Sequence, residues 1–111
     1  MAVEYVVMPL FDDEDYEYQI ALEGNSYTFR AYYNSRTALW HFDLSTEDGT
    51  PVVLGEALVP NYPILWDYAL FPLTGYIFLE PISDNNTEKY KSNPRALSSY
   101  YRMFWIWGAP D

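Results

Sequence analysis

Tyr16-Glu17-Tyr18-Gln19-Ile20-Ala21-Leu22, then Glu23-Gly24-Asn25-Ser26, then Tyr27-Thr28-Phe29-Arg30-Ala31-Tyr32-Tyr33, is the stretch that decides the fold. Its period is two. Tyr16, Tyr18, Ile20 and Leu22 fall on one side of an extended chain, and polar residues alternate with them. A helix would repeat apolar positions every three to four residues, and this stretch does not. Two alternating runs separated by a short Gly/Asn/Ser segment read as a β-hairpin.

The same period continues outward. Asn34-Ser35-Arg36-Thr37 reads as a turn, and Leu39-Trp40-His41-Phe42-Asp43-Leu44 puts Trp40, Phe42 and Leu44 on one face. Glu47-Asp48-Gly49-Thr50 carries Asp-Gly, whose residues tolerate positive φ and so predict a two-residue hairpin. Val52-Val53-Leu54-Gly55-Glu56-Ala57-Leu58 returns as a fourth strand. Residues 16–58 are therefore expected to form a four-stranded antiparallel meander. Upstream, Glu4-Tyr5-Val6-Val7-Met8 is strand-like and closes at Pro9. Asp12-Asp13-Glu14-Asp15 reads as a solvated turn.

Downstream the pattern loosens. Pro60, Pro63 and Pro72 interrupt an apolar stretch, so a connection is expected there, with one helical turn over Ile64–Tyr68. Gly75 to Glu80 reads as a short strand, Ser83 to Pro94 as a polar loop, and Leu97 to Trp107 as an aromatic closing strand. No repeat or linker divides the chain. The expectation is one all-β domain over residues 1–111, an antiparallel sandwich or a small barrel.

Composition bounds the function. Half of the 111 residues are hydrophobic and a fifth are aromatic, which is too apolar for a disordered chain. Six basic against 16 acidic side chains leave a net charge of −10. Such a field repels phosphate backbones and anionic bilayers, so neither nucleic-acid nor membrane binding is expected. The N-terminus lacks the basic segment and cleavage site of a signal peptide. No apolar run approaches the ~20 residues of a membrane helix. A soluble product made in a cytoplasm is expected.

Little chemistry is encoded. There is no cysteine, which excludes disulfides and thiolate chemistry. His41 is the only histidine, too few for a multi-histidine metal site, and it points away from Trp40 and Phe42. Asp12, Asp13, Glu14 and Asp15 lack the ligand spacing of a calcium loop, and so do Asp84, Asn85, Asn86 and Glu88. Asn85-Asn86-Thr87 matches a glycosylation triplet without a secretion signal to give it meaning. There is no phosphate loop and no G-x-S-x-G. No catalytic residue, metal or cofactor is expected. Aromatic residues beside carboxylate pairs make a carbohydrate-binding module the rival reading from composition.

The C-terminal strand is apolar on both faces. Tyr101, Met103, Trp105 and Trp107 share one face; Tyr100, Arg102, Phe104 and Ile106 share the other. Such a strand is buried on both sides, or buried on one and engaged with a partner on the other. Trp, Tyr and Met are enriched at interface centres. Tyr101, Met103, Trp105 and Trp107 are thus the expected partner-binding residues, with one of the two Trp in the core and the other in contact.

The order of segments also resembles a known family. An N-terminal strand ends in Met8-Pro9-Leu10, and Leu22-Glu23-Gly24-Asn25-Ser26-Tyr27-Thr28-Phe29-Arg30 follows. Asn34-Ser35-Arg36 precedes Trp40 and Asp43. Asp48-Gly49-Thr50-Pro51 precedes Leu54-Gly55-Glu56-Ala57-Leu58-Val59-Pro60, and Leu73-Thr74-Gly75-Tyr76-Ile77-Phe78-Leu79 comes later. Together these resemble the baseplate plug proteins of contractile-tailed phages, most strongly over residues 1–80. The resemblance implies an all-β, non-enzymatic virion subunit at the centre of the tail baseplate. There it would bind the hub/spike and tail-tube initiator proteins, close the tube lumen, and be assembled in the host cytoplasm. The common threefold symmetry of baseplate hubs implies a homotrimer. A tail-associated glycan hydrolase joins the carbohydrate-binding module as the alternative.

Overall fold

The computed structural model describes residues 3–60, 63–65, 73–83, 90 and 93–108. Among these residues seven strands run: β1 (Val3–Met8), β2 (Asp15–Leu22), β3 (Asn25–Asn34), β4 (Leu39–Thr46), β5 (Pro51–Ala57), β6 (Tyr76–Pro81) and β7 (Tyr101–Gly108). A 3₁₀ turn (Pro94–Ala96) and a single helical turn, α1 (Leu97–Tyr100), precede β7. The strands form two antiparallel sheets, one ordered β2-β3-β4-β5 and the other β1-β7-β6. No strand joins the two sheets among the described residues, so the fold is a sandwich and not a closed barrel. The meander expected over residues 16–58 is the four-stranded sheet.

Alternation explains the layering. Leu22 from β2, Tyr27, Phe29 and Ala31 from β3, and Trp40, Phe42 and Leu44 from β4 all point inward. They meet Met8, Ile77, Leu79, Tyr101, Met103 and Trp105 of the other sheet in one shared core. Phe29 and Phe42 stack across β3 and β4 with centroids 5.3 Å apart.

Turn chemistry departs from expectation in an informative way. Asp48-Gly49 is not a two-residue turn. Only Gly49 takes positive φ, and the loop spans 47–50. Asp48 instead accepts hydrogen bonds from the Thr46 and Thr50 hydroxyls, so its side chain builds the loop. The two-residue hairpin is Glu23-Gly24, with φ of 53° and 88° and Leu22 opposite Asn25. Glutamate is an unusual occupant of left-handed backbone.

The closing strand also starts later than expected. Leu97–Tyr100 is helical, because Pro94 fixes φ for a 3₁₀ turn and the buried Leu97 draws the next turn against the core. This crossover is tied to the acidic segment before β2. The Ser98 hydroxyl donates to Asp12 at 2.7 Å, and Arg95 Nε lies 2.6 Å from Glu14 Oε1. Trp40 Nε1 donates to the Pro94 carbonyl at 3.0 Å. Asp12–Asp15 thus anchors part of the chain rather than only soliciting water. The expected helical turn over 64–68 and the expected loop over 83–94 lie largely outside the described residues. So do Asp84, Asn85, Asn86 and Glu88. Ile64 itself forms a bridge to Ile77.

Candidate interaction face

The two sheets present opposite chemistry to solvent. On the four-stranded sheet the outward residues include Asp15, Glu17 and Gln19 of β2, Thr28 and Arg30 of β3, and His41 and Asp43 of β4. Asp15, Arg30, Tyr32 and Asp43 of this face bond one another, while His41 Nε2 is buried without a hydrogen-bond partner among the described residues. Arg30 donates from Nε and Nη2 to Asp15 at 2.9 and 2.6 Å, and its Nη1 sits 3.8 Å from Asp43. The bidentate guanidinium holds the Asp15 carboxyl below its ordinary range. Tyr32 donates to Asp43 at 3.0 Å; burial, then that bond, raises its phenol pKa. Gly55 takes φ of 70° at a bulge opposite Asp43, and its N–H donates to the same carboxylate at 2.8 Å. His41 stacks on Tyr32, and its Nδ1 lies 3.3 Å from the Gly55 carbonyl oxygen.

The outer face of the three-stranded sheet is apolar. Register sets Tyr5, Ile106 and Tyr76 in one row across β1, β7 and β6, and Val7, Phe104 and Phe78 in the next. Val3, Tyr5 and Val7 are 72%, 66% and 56% exposed. Tyr5 meets Phe104 edge to face at 5.6 Å. Charge enters only at one end, where Glu80 and Arg102 lie opposite each other. A shallow depression of about 280 Å³ opens between Val3, Tyr5, Phe78, Glu80, Phe104 and Ile106. Natural β proteins seldom leave an apolar surface of this kind uncovered.

The expected contact residues divide differently. Tyr101 and Met103 are 1% exposed and Trp105 is 0% exposed, so their side chains lie in the core. Trp107 is half-buried against that core at the end of the strand. The accessible face of β7 is the opposite one, Phe104 and Ile106. Period two sorts the residues correctly but does not say which side faces in. The useful signal was in β1, where Val3, Tyr5 and Val7 add a second apolar column with no polar residue.

The sheets are joined at Glu23. Its carboxylate accepts from Thr74 N, Thr74 Oγ1 and Gly75 N at 2.7–3.1 Å, and from Trp105 Nε1 at 2.9 Å. The chain must pass close here. A Cβ at Gly75 would lie 2.8 Å from Trp105 Nε1 and 2.9 Å from Trp107 Cβ, and closer still to the Ile106 carbonyl. The clamp fixes the start of β6 beside β7.

No group of three or more His, Asp or Glu is placed to hold a metal among the described residues. No helix among them is long and apolar enough to cross a membrane. The fold is thus a β-sandwich with a largely polar outer face on one sheet and an apolar outer face on the other. The chain belongs to the family described as cyanophage baseplate Pam3 plug gp18, whose match runs over residues 5–108. It is therefore a structural component of the phage tail baseplate. The match extends through β7 and includes most of the apolar face. A search of curated proteins finds no match.

Proposed function

We propose that the chain closes the tail-tube lumen by docking the outer face of β1-β7-β6 on a baseplate protein, the hub/spike or the tube initiator, without catalysis. The observation that carries this reading is the asymmetry between the two outer faces. In one sheet Asp15, Arg30, Tyr32 and Asp43 bond one another; the other leaves Val3, Tyr5 and Val7 exposed and Phe104 and Ile106 half-buried. Burying that surface is favourable at roughly 25 cal/mol per Å² of apolar area. A glycan site is less well supported, because it pairs aromatic rings with hydrogen-bonding groups and this face alternates rings with Val and Ile. The net charge of −10 suits a wall past which DNA must slide. Three copies would match a threefold hub, with assembly in the host cytoplasm.

Co-purification with the hub/spike and tube-initiator proteins of the same virus tests the reading. Tyr5→Asp should abolish capture. Gln19→Asp adds the same charge to the polar face and should leave capture intact. Equal capture of both variants, or of neither with the unmodified chain also unbound, would overturn it.

A further inference from the structure

The four sheet edges are not equally defended. β2 carries Asp15 and Glu17 along its edge. β5 opens with Pro51 and bulges at Gly55, and both features spoil pairing. β6 is bridged by Ile64, whose N–H and carbonyl both bond Ile77 at 2.9 Å. β1 has no proline, no bulge and an unbroken register with β7 from Val3 to Met8. No strand pairs with its other edge among the described residues. Three exposed residues of high strand propensity, Val3, Tyr5 and Val7, lie along it. Natural sheets blunt such edges or use them.

We infer that the free edge of β1 receives an extended, cation-bearing strand of a baseplate partner, which lengthens the β1-β7-β6 sheet by one strand. The inference rests on the docking reading above and adds its mode: main-chain pairing, with the new strand's apolar side chains continuing the row of Tyr5 and Val7. Charge selects the occupant. Glu4 is the one charged side chain of β1, and it is exposed. A second copy would bring another Glu4 to the edge in a chain of the same charge, −10, and like charges across a strand pair are unfavourable. A strand with Lys or Arg beside Glu4 meets the opposite field.

Hydrogen exchange of the full chain, alone and in complex with the hub/spike and tube-initiator proteins, tests this. In the complex, the amides of Val3–Met8 that point away from β7 should slow at least tenfold, because they gain main-chain partners. Glu4 is exposed, so Glu4→Lys should fold normally and weaken the complex by about fivefold, with Glu4→Gln between the two. A complex that forms while those amides exchange as in the free chain would overturn the edge inference and leave face docking standing. Absence of any complex would overturn both. Slowing in the isolated chain that grows with its concentration would assign the edge to a second copy and overturn the inference.

Discussion

The indole of Trp105 donates to the Glu23 carboxylate at 2.9 Å, so the hairpin turn of one sheet holds the central strand of the other. Glu23 does this from left-handed backbone, φ 53°, where a non-glycine residue is strained by roughly 1 kcal/mol. The strain is offset by the four donors the carboxylate collects. Glu23→Ala keeps the strain and leaves a buried indole N–H unpaired; it should cost about 2–3 kcal/mol in chemical denaturation. Glu23→Gly loses the same bonds but not the conformation, so its loss should be about 1 kcal/mol smaller. Equal losses would show that the backbone is not strained there.

Gly75 is required by space rather than by φ. Its missing side chain lets the approach to β6 pass beneath Trp105 and Trp107. Gly75→Ala must displace the Ile106 backbone and should destabilise the fold by about 3 kcal/mol. A melting temperature within a degree of the unmodified chain would contradict the close approach.

Trp105 and Trp107 should respond differently to truncation. Trp105→Ala empties a fully buried site and should cost about 3–5 kcal/mol. Trp107 only rests on the core, so Trp107→Ala should cost less than half of that. Denaturant titration of the two variants decides it, and equal losses would mean that both rings are core.

Acid should weaken the chain through two exposed carboxyls. Arg30 lowers the pKa of Asp15, and the hydroxyls of Thr46 and Thr50 lower that of Asp48. A carboxyl whose folded pKa is depressed contributes stability above its unfolded value, ~3.9, and loses it as pH falls through the folded one. Asp15→Asn and Asp48→Asn should therefore each flatten the fall in stability below about pH 4. In 1 M salt the Asp15 contribution should shrink while that of Asp48 persists, because salt screens the ion pair and not the hydroxyl bonds. Unchanged acid profiles in both variants would contradict the assignment.

The meander was legible because residues 16–58 alternate cleanly and one face of that sheet is wet. The three-stranded sheet was harder. Its strands are apolar on both sides, so period two places Phe104 and Trp105 on opposite faces without ordering the faces. Pairing between β1 and β7 spans nearly the whole chain and leaves no local signal. Nor does the sequence mark the clamp: Glu23-Gly24 reads as a plain turn, and the donors to its carboxylate lie some fifty and eighty residues away. Leu97–Tyr100 was misread because Pro94 acts on the backbone while the side chains that follow look strand-like.

The most direct measurement is an electron-cryomicroscopy map of the assembled baseplate. Tyr5, Phe78, Phe104 and Ile106 should pack against another baseplate protein at the mouth of a closed tube, with Arg30 and Asp43 facing water. A map with those four side chains in solvent and the polar face in contact would contradict it.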